Sequence, residues 1–244
     1  MPEKLSEEMY RIQDAVRRNY EEITEQIARA AERSGRRSED ITFLAATKTV
    51  APPVINYAIS LGLRHIGENK VQELLSKYDE YNLSACDLQF IGHLQTNKVR
   101  QIIGRVSMIQ SVDSLRLAQE ISRQSAKNDC TTDILIEVNI GEEESKSGVP
   151  AEQLEELLGQ ISLLERIKVR GLMAIPPICD KKAETCKFFN RMHHLFIDIS
   201  GKTLDNISMD FLSMGMSDDF AEAIEAGANM VRIGSRLFGA RVYR

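Results

Sequence analysis

The feature that most constrains the fold of this chain is a regular alternation of short apolar runs with helix-forming segments. Each of eight runs has the length and apolar content of a buried strand, and each precedes a segment with helical signals. Strands that alternate with helices form parallel sheets, because the helix returns the chain to the same end of the sheet. The predicted strands are 41–46, 63–66, 88–91, 106–109, 133–139, 169–174, 208–212 and 230–233.

One further helix precedes this alternation. Apolar residues recur at steps of three and four between Ser6 and Ser34, which predicts a long amphipathic helix that stops at Gly35. An open doubly wound sheet would also alternate, but eight units in 244 residues favour a single (β/α)8 TIM barrel with an extra N-terminal helix. Since no linker-like stretch interrupts the alternation, we expect one domain, 1–244. The other predicted helices are 52–61, 70–81, 96–103, 114–127, 150–164, 181–199 and 218–226, followed by a short helical tail.

Composition excludes several classes of partner. A net charge of −5 argues against a dedicated nucleic-acid binder. The sequence has no apolar run long enough to span a bilayer and no apolar signal-peptide core near its start, so we expect a cytoplasmic protein. The four cysteines lack CxxC spacing and zinc-finger intervals to histidine, so we expect ordinary thiols and no metal site.

Lys48 directly follows the first predicted strand, between Thr47 and Thr49. At the mouth of a barrel a lysine is partly desolvated, which lowers its pKa and favours the neutral amine that Schiff-base formation requires. A lysine at a strand end also often extends its ammonium group into solvent. The position of Lys48 alone leaves both interpretations open.

Two small loops rich in hydrogen-bond donors follow the last two predicted strands. The segment 213–218 leads into a helix, and Ser217 there either caps the helix, binds a ligand, or does both. Gly234 and Ser235 follow the last strand and offer a backbone N–H and a hydroxyl. Because barrels often bind phosphate with the loops after strands seven and eight, these loops predict a phosphate site.

Other polar residues are expected near the same end of the barrel. Arg232 lies within the last strand, where a guanidinium needs a ligand or an internal salt bridge, for example to Glu137. Asn69 and His93 follow strands two and three; His93 is either a general base or a loop histidine. Lys146 lies in a charged, glycine-bounded loop, which is either a mobile lid or a solvated surface.

The motifs together resemble the YggS/PROSC family of pyridoxal 5′-phosphate (PLP) homeostasis proteins. The SMGMS and RIGS segments, combined with the lysine after strand one, are highly specific, and the matches run along almost the whole chain. The matching segments are Ala46-Thr47-Lys48-Thr49, Ile66-Gly67-Glu68-Asn69, Val71-Gln72-Glu73, Phe90-Ile91-Gly92-His93-Leu94-Gln95, Asn97-Lys98, Val138-Asn139-Ile140, Ser145-Lys146-Ser147-Gly148, Gly171-Leu172-Met173, Leu212-Ser213-Met214-Gly215-Met216-Ser217, Val231-Arg232-Ile233-Gly234-Ser235 and Phe238-Gly239.

The resemblance implies a barrel similar to the N-terminal domain of alanine racemase, with PLP as its cofactor. Lys48 would carry PLP covalently as a Schiff base, and Arg232 would face the pyridine nitrogen. A permanent cation there disfavours a protonated ring and so makes PLP a weaker electron sink. The full set of implied cofactor-binding residues is Lys48, Asn69, Ser213, Ser217, Arg232, Gly234 and Ser235, of which the serines and Gly234 would hold the phosphate.

Two functions from different classes follow from the resemblance. In the first, the protein is not an enzyme: it binds PLP reversibly, takes part in intracellular PLP homeostasis, has no catalytic residue, and meets PLP-requiring apoenzymes only transiently. In the second, it is a PLP-dependent enzyme with weak amino-acid racemase-like activity. We expect the first, acting as a monomer, because the chain leaves no room after the barrel for the second domain that alanine racemase needs.

Overall fold

Eight parallel strands close into a barrel in the computed structural model, which describes residues 2–143, 146–177 and 179–239. Neighbouring strands pair in chain order, and the last strand pairs with the first, with Leu44 opposite Arg232 and Ala45 opposite Ile233. The predicted TIM-barrel fold is therefore confirmed. The strands are β1 Thr42–Ala46, β2 His65–Glu68, β3 Asp87–Phe90, β4 Met108–Val112, β5 Thr132–Glu137, β6 Ile167–Met173, β7 Ile207–Ser213 and β8 Met230–Ile233.

Helices surround the barrel, and one long helix precedes it, as predicted. This first helix begins at Pro2, four residues before the predicted start, and it packs against the helices that flank β8. No helix in the described ranges is long and apolar enough to cross a membrane. The helices are α1 Pro2–Arg33, α2 Pro52–Ser60, α3 Val71–Lys77, α4 Val99–Ile102, α5 Leu115–Lys127, α6 Leu154–Ile161, α7 Lys182–Ser200, α8 Phe220–Glu225 and α9 Ser235–Phe238.

The apolar core has two parts, because alternate strand residues face opposite sides of the barrel wall. The larger part fills the space between the strands and the helices. The smaller part comes from β4 to β7 and packs inside the barrel; its members are Met108, Leu135 and Met173, with Phe211 against them. Buried polar side chains, among them Gln110, Ser213 and Arg232, form a hydrogen-bonded chain that leads to the site described below.

Seven of the eight strands have bounds that differ from the sequence prediction by one to three residues, and β4 and β5 show why. Strand β4 lies at Met108–Val112 rather than 106–109, because it includes Gln110 and Ser111, which are polar yet buried. An apolar criterion overlooks such residues. Strand β5 ends at Glu137, and Val138 instead forms an isolated bridge with Val149.

Candidate functional site

A cavity of about 900 Å³ opens at the carboxyl ends of the strands. Its walls come from the residues that end or follow β1, β2, β3, β5, β6, β7 and β8. Six of the seven cofactor-binding residues predicted from the sequence line it: Lys48, Asn69, Ser217, Arg232, Gly234 and Ser235. The structure thus brings together side chains that lie up to 187 positions apart in the sequence.

Lys48 occupies the turn that follows β1. Thr47 is fully buried; its N–H donates to the Gly67 carbonyl at 2.9 Å, and its hydroxyl donates to Glu68 Oε1 at 2.8 Å. On the other side of Lys48, Thr49 has a φ of 65°, in the left-handed region that β-branched residues avoid. Both neighbours of the lysine therefore have fixed or unusual conformations.

Behind this turn lies a buried cluster of charged residues. Lys77 Nζ donates to Glu68 Oε1 at 3.0 Å and to Glu73 Oε1 at 2.6 Å. The Tyr81 hydroxyl donates to Glu68 Oε1 at 2.8 Å, and burial together with the Glu68 carboxylate raises the pKa of Tyr81, so that the hydroxyl remains a donor. The second oxygen of Glu68, Oε2, is buried and has no hydrogen-bond partner among the described residues.

Ser217 lies at the centre of a small cradle formed by the loop after β8. Its Oγ accepts from the N–H groups of Gly234 and Arg236, both at 3.3 Å, and from the Ser235 hydroxyl at 3.0 Å. Of the roles that the sequence left open for Ser217, the N-cap role is not formed, since α8 begins at Phe220 and its N-cap residue is Asp219. The Ser217 hydroxyl is thus turned toward the cavity end of β8 rather than toward α8.

Gly234 allows this loop to approach β1 closely. A Cβ atom at position 234 would lie 3.1 Å from the Ala46 carbonyl oxygen and 3.3 Å from its Cβ. These contacts are tighter than most real Cβ contacts, so a side chain there would push the cradle away from the start of the Lys48 turn. The small residue keeps the predicted phosphate loop and the predicted Schiff-base lysine in one cavity.

A chain of buried hydrogen bonds fixes the side chain of Arg232. It donates to Ser213 Oγ at 2.6 Å and to the Ala174 carbonyl at 3.0 Å. Ser213 in turn donates to Gln110 Oε1 at 2.7 Å, and Gln110 donates to Gln89 Oε1 at 2.6 Å. Burial lowers the pKa of Arg232 to about 10, which leaves it charged at neutral pH.

Ser213 therefore differs from the other predicted phosphate-binding residues. It is fully buried, it does not line the cavity, and its hydroxyl is already used by Arg232 and Gln110. Its place at the end of β7 directs its side chain into the barrel interior rather than into the loop above. In the structure its hydroxyl contacts Arg232, and the direct contact with the phosphate stays a prediction.

Glu137 lies in the cavity wall without the salt bridge to Arg232 that the sequence allowed. Arg232 donates instead to Ser213 and Ala174, and its effect on Glu137 is a longer-range attraction. Burial, reinforced by the nearby Asp113 carboxylate, raises the pKa of Glu137 to about 7. Its carboxyl group therefore titrates near neutral pH.

Asn69 presents an unused acceptor beside the cavity. Its Oδ1 is buried and has no hydrogen-bond partner in the described part of the chain. The residue packs tightly on Gly92, where a Cβ atom would lie 2.2 Å from the Asn69 carbonyl oxygen. A ligand with a donor group would satisfy this orphaned oxygen.

His93 and Lys146 both lie at the rim of the cavity. His93 is exposed and its Nδ1 lies 3.3 Å from Ser147 Oγ and 3.8 Å from Asp113 Oδ2. Lys146 Nζ pairs with Glu143 Oε2 at 2.5 Å and donates to the Pro176 carbonyl at 3.4 Å. The loop of Lys146 therefore joins the loops after β3 and β6; part of the loop (144–145) lies outside the described residues, and the predicted lid remains a prediction.

Comparison with known proteins places the chain in a family. A family model described as the alanine racemase N-terminal domain matches residues 13–242. A pyridoxal phosphate homeostasis protein of Aquifex aeolicus is 43% identical over 221 residues, which cover 91% of this chain and 96% of its own. The chain belongs to the pyridoxal phosphate homeostasis protein family. A protein of the same name from Escherichia coli K12 is 38% identical over 228 residues, 92% of this chain and 96% of its own.

Solved structures agree with this membership. PipY of Synechococcus elongatus, solved with PLP bound, is 30% identical, with a TM-score of 0.77, and the match covers 86% of this chain and all of PipY. A protein from Bifidobacterium adolescentis is 31% identical with a TM-score of 0.88, covering 93% of this chain and 96% of its own. Alanine racemase of Corynebacterium glutamicum shares the fold, with a TM-score of 0.69 at 16% identity, over 95% of this chain and 62% of the racemase.

Sequence reasoning did not single out several residues of the site in this family member. Lys77 lies in α3 and Tyr81 follows it, where both resemble ordinary helix residues, and Gln110 falls outside the apolar pattern of β4. Their importance comes from contacts across the fold. The one available signal was the polar pair Gln110-Ser111 within an otherwise apolar run.

Proposed function

We propose that this protein binds PLP reversibly in the cavity, with Lys48 as the covalent attachment point, and takes part in PLP homeostasis. The observation that carries the proposal is the meeting of Lys48, the Ser217 cradle and Arg232 in one cavity. The names of the Aquifex and Escherichia relatives, and the PLP bound to PipY, support the choice of ligand.

The residues of the cavity fit the chemistry of PLP. Three donors, the N–H groups of Gly234 and Arg236 and the hydroxyl of Ser235, share one acceptor, the Ser217 hydroxyl oxygen. A phosphate group would supply more acceptor oxygens for the same donors. The orphaned Oδ1 of Asn69 suits a hydroxyl donor on the ligand. Arg232 suits the unprotonated pyridine nitrogen, which accepts a hydrogen bond from a cation.

Arg232 also favours a carrier over an enzyme. When bound, PLP supplies an aldehyde for a lysine amine and a ring that can withdraw electrons. The guanidinium of Arg232 stays charged, and its orientation is fixed by Ser213 and Ala174. A cation in this position opposes protonation of the ring nitrogen, so electron withdrawal stays weak while attachment to Lys48 remains available.

The proposal includes the setting in which the protein acts. The protein acts in the cytoplasm as a single-domain monomer and delivers PLP to PLP-requiring apoenzymes through transient encounters. Support for this part comes from the family name and from a cavity that opens at the barrel mouth. The alternative, weak racemase-like activity, draws on Glu137, an acid with a pKa of about 7 in the cavity wall.

A titration with PLP tests the attachment point. We expect the wild-type protein to show the absorbance of a lysine–PLP adduct at one equivalent, and borohydride to make this adduct permanent. Lys48→Ala removes the cavity-lining amine that follows β1 and should abolish the adduct, whereas Lys146→Ala, at the other cavity-lining lysine, should retain it. A Lys48→Ala protein that still forms the same reducible adduct at one equivalent contradicts the proposal.

A second experiment separates the carrier from the enzyme. The PLP-loaded protein is incubated in deuterium oxide with individual L- and D-amino acids, and incorporation of deuterium at Cα is followed by mass spectrometry. We expect incorporation far below ordinary enzymatic turnover, which is about 1–1,000 per second. Turnover within that range, lost on Glu137→Gln, would establish the enzyme instead.

A further inference from the structure

The turn that carries Lys48 is strained at Thr49. Its φ of 65° lies in the left-handed region, which a β-branched side chain adopts only under constraint from its surroundings. Strain of this kind persists only where other contacts hold the backbone in place. The contacts that hold this turn come from α3 and from the end of β2.

Three groups of a largely buried ion cluster form hydrogen bonds with the residues on both sides of Lys48. Lys77 Nζ donates to the Thr47 carbonyl at 3.1 Å, and Glu68 Oε1 accepts from the Thr47 hydroxyl at 2.8 Å. On the far side, Glu73 Oε1 accepts from the Thr49 N–H. Lys48 is thus the residue between two anchored neighbours, and the three anchors are joined to one another through Lys77.

The charged groups of this cluster are largely shielded from solvent. Glu68 is fully buried, and the side chains of Lys77 and Glu73 are only 12% and 19% exposed. A buried carboxylate is costly unless it is paired and hydrogen-bonded, and Glu68 Oε1 receives Thr47, Tyr81 and Lys77 together. Replacing a buried ion cluster with apolar residues is often neutral for stability, so stability alone does not account for this cluster.

We propose that Glu68, Glu73 and Lys77 form a positioning device for Lys48, which holds the strained turn 47–49 so that the lysine amine is presented to the cavity. None of the three residues lines the cavity, so they act through the turn rather than by touching the ligand. This inference rests on the proposed function, since it concerns the residue that would carry PLP.

Glu73 provides the sharpest test, because its replacement leaves the other two charges paired. In Glu73→Ala, Lys77 still pairs with Glu68, and alanine suits helix α3. The Thr49 N–H loses its acceptor, so the turn is free to relax. We expect the rate at which PLP attaches to Lys48 to fall roughly tenfold, the factor that corresponds to about 1.4 kcal/mol in activation free energy.

Two further variants should restore the rate of PLP attachment, which is not expected if Glu73 only stabilises the fold. Glu73→Gln keeps an acceptor oxygen for the Thr49 N–H and should recover most of the rate. Adding Thr49→Asn to Glu73→Ala should also recover it in part, because asparagine tolerates the left-handed region better than threonine. Ser125→Ala, which breaks the buried hydroxyl pair with Thr132 at 2.7 Å on another side of the barrel, serves as the control for lost stability alone.

The readout should not depend on PLP alone. Acetic anhydride labels lysine amines in the cofactor-free protein, and mass spectrometry of the peptide that contains Lys48 gives its reactivity across a range of pH. We expect Glu73→Ala to change the pH profile of Lys48 labelling, and Ser125→Ala to leave it unchanged. Attachment of PLP is measured in parallel by borohydride trapping, and folding by thermal unfolding.

The outcomes distinguish this inference from the proposed function. If wild-type protein forms no PLP adduct at Lys48, the proposed function fails, while the labelling profiles still report on the device. If Glu73→Ala remains folded, attaches PLP within twofold of the wild-type rate and keeps the wild-type labelling profile, the positioning role is overturned. An equal loss in Ser125→Ala also overturns it.

Discussion

Ser213 and Ser217 are four positions apart, yet their side chains point to different places: one into the barrel interior and one into the cavity. Ser217 is in the loop after β7, lines the cavity and lies within reach of the donors of the β8 loop. Ser213 is the last residue of β7, is fully buried and supports Arg232 from inside the barrel. Removing the Ser217 hydroxyl should therefore affect PLP binding, whereas removing the Ser213 hydroxyl should affect the stability of the fold.

Ser217→Ala should weaken binding of PLP but not of pyridoxal, which lacks the phosphate. The Ser217 hydroxyl offers a hydrogen bond to an anion, and such bonds contribute about 1.5–3 kcal/mol, so the dissociation constant for PLP should rise by roughly one order of magnitude or more. Equilibrium titrations with both ligands measure this difference. Equal losses for PLP and pyridoxal would show that the cradle does not hold the phosphate.

Ser213→Ala should chiefly destabilise the fold. Removing its hydroxyl leaves the buried guanidinium of Arg232 and the amide of Gln110 each without one partner, which costs about 1–3 kcal/mol. Urea unfolding of the variant beside Ser217→Ala measures the contrast. A Ser213→Ala protein as stable as wild type would show that water replaces the hydroxyl without cost.

Glu137 should give the protein a pH-dependent stability. Its pKa is about 7 in the folded protein against an ordinary value of 4.5, so the folded state holds the proton more tightly than the unfolded chain. The associated stability is complete below pH 4.5 and is lost as the pH rises to 7, in total up to about 3 kcal/mol. Glu137→Gln removes this dependence.

Urea unfolding at several pH values measures the effect. The free energy of unfolding of Glu137→Gln, relative to wild type, should rise steadily between pH 4.5 and 7, and Glu156→Gln, at an exposed helix position, serves as the matched control. A difference between Glu137→Gln and wild type that stays constant across this range would contradict the raised pKa.

At the scale of elements, helix α1 is joined to the last βα unit by specific contacts. The Asn19 amide donates to the Leu237 carbonyl at 3.0 Å, which ties α1 to the helix that carries Ser235. Arg36, just after α1, donates to the Ile224 carbonyl in α8 and to the Ala228 carbonyl at 2.9 Å. These bonds bring a charged donor to one carbonyl near the end of α8 and to one in the loop that follows it.

Arg36→Ala should accordingly destabilise the protein by about 1–2 kcal/mol, because it removes charge-assisted hydrogen bonds that tie the end of α1 to α8 and the loop after it. The neighbouring Arg37, which is exposed and pairs with Asp40, offers a matched control that should have no measurable effect. Urea unfolding compares the two. Equal stability of both variants would show that the Arg36 bonds are not needed.

The sequence predicted the elements better than the contacts between them. Periodicity identified eight strands because strand residues such as Ile134 and Leu172 pack in the apolar layer between barrel and helices. It misplaced β4, because Gln110 is buried by hydrogen bonds to Gln89 and Ser213, which lie in other strands.

For the site, too, local positions could be predicted from the sequence, whereas contacts between distant segments could not. Lys48, Gly234 and Ser235 follow directly from their positions after β1 and β8, and the structure brings them to one cavity. Glu73 and Lys77 of α3, about 25 residues later in the chain, form hydrogen bonds with the turn that contains Lys48. No local pattern marks such a contact, because its partners meet only when the barrel closes.

At the scale of the whole molecule, the carboxyl ends of the strands form the cavity, and apolar side chains from β4 to β7 pack inside the barrel. Binding at this end should stabilise the entire barrel, since the cavity takes residues from seven of the eight strand ends. At a PLP concentration a hundred times its dissociation constant, the gain is about 2.7 kcal/mol.

This gain should raise the midpoint of thermal unfolding by about 5–10 °C for a chain of this length. Calorimetry with and without PLP measures the shift, and a single cooperative transition is expected in both cases because we propose one domain. Inorganic phosphate, which reaches only the cradle, should give a smaller shift. Two separate transitions, only one of them moved by PLP, would contradict the single domain.

The central claim, that Lys48 is the residue that attaches PLP, is tested most directly by mapping the attached group. The PLP-loaded protein is reduced with borohydride and digested, and mass spectrometry locates the added phosphopyridoxyl mass. The expected result is one modification per chain, on the peptide that contains Lys48. Modification at Lys146 or spread over several surface lysines, with Lys48 unmodified, would contradict the account.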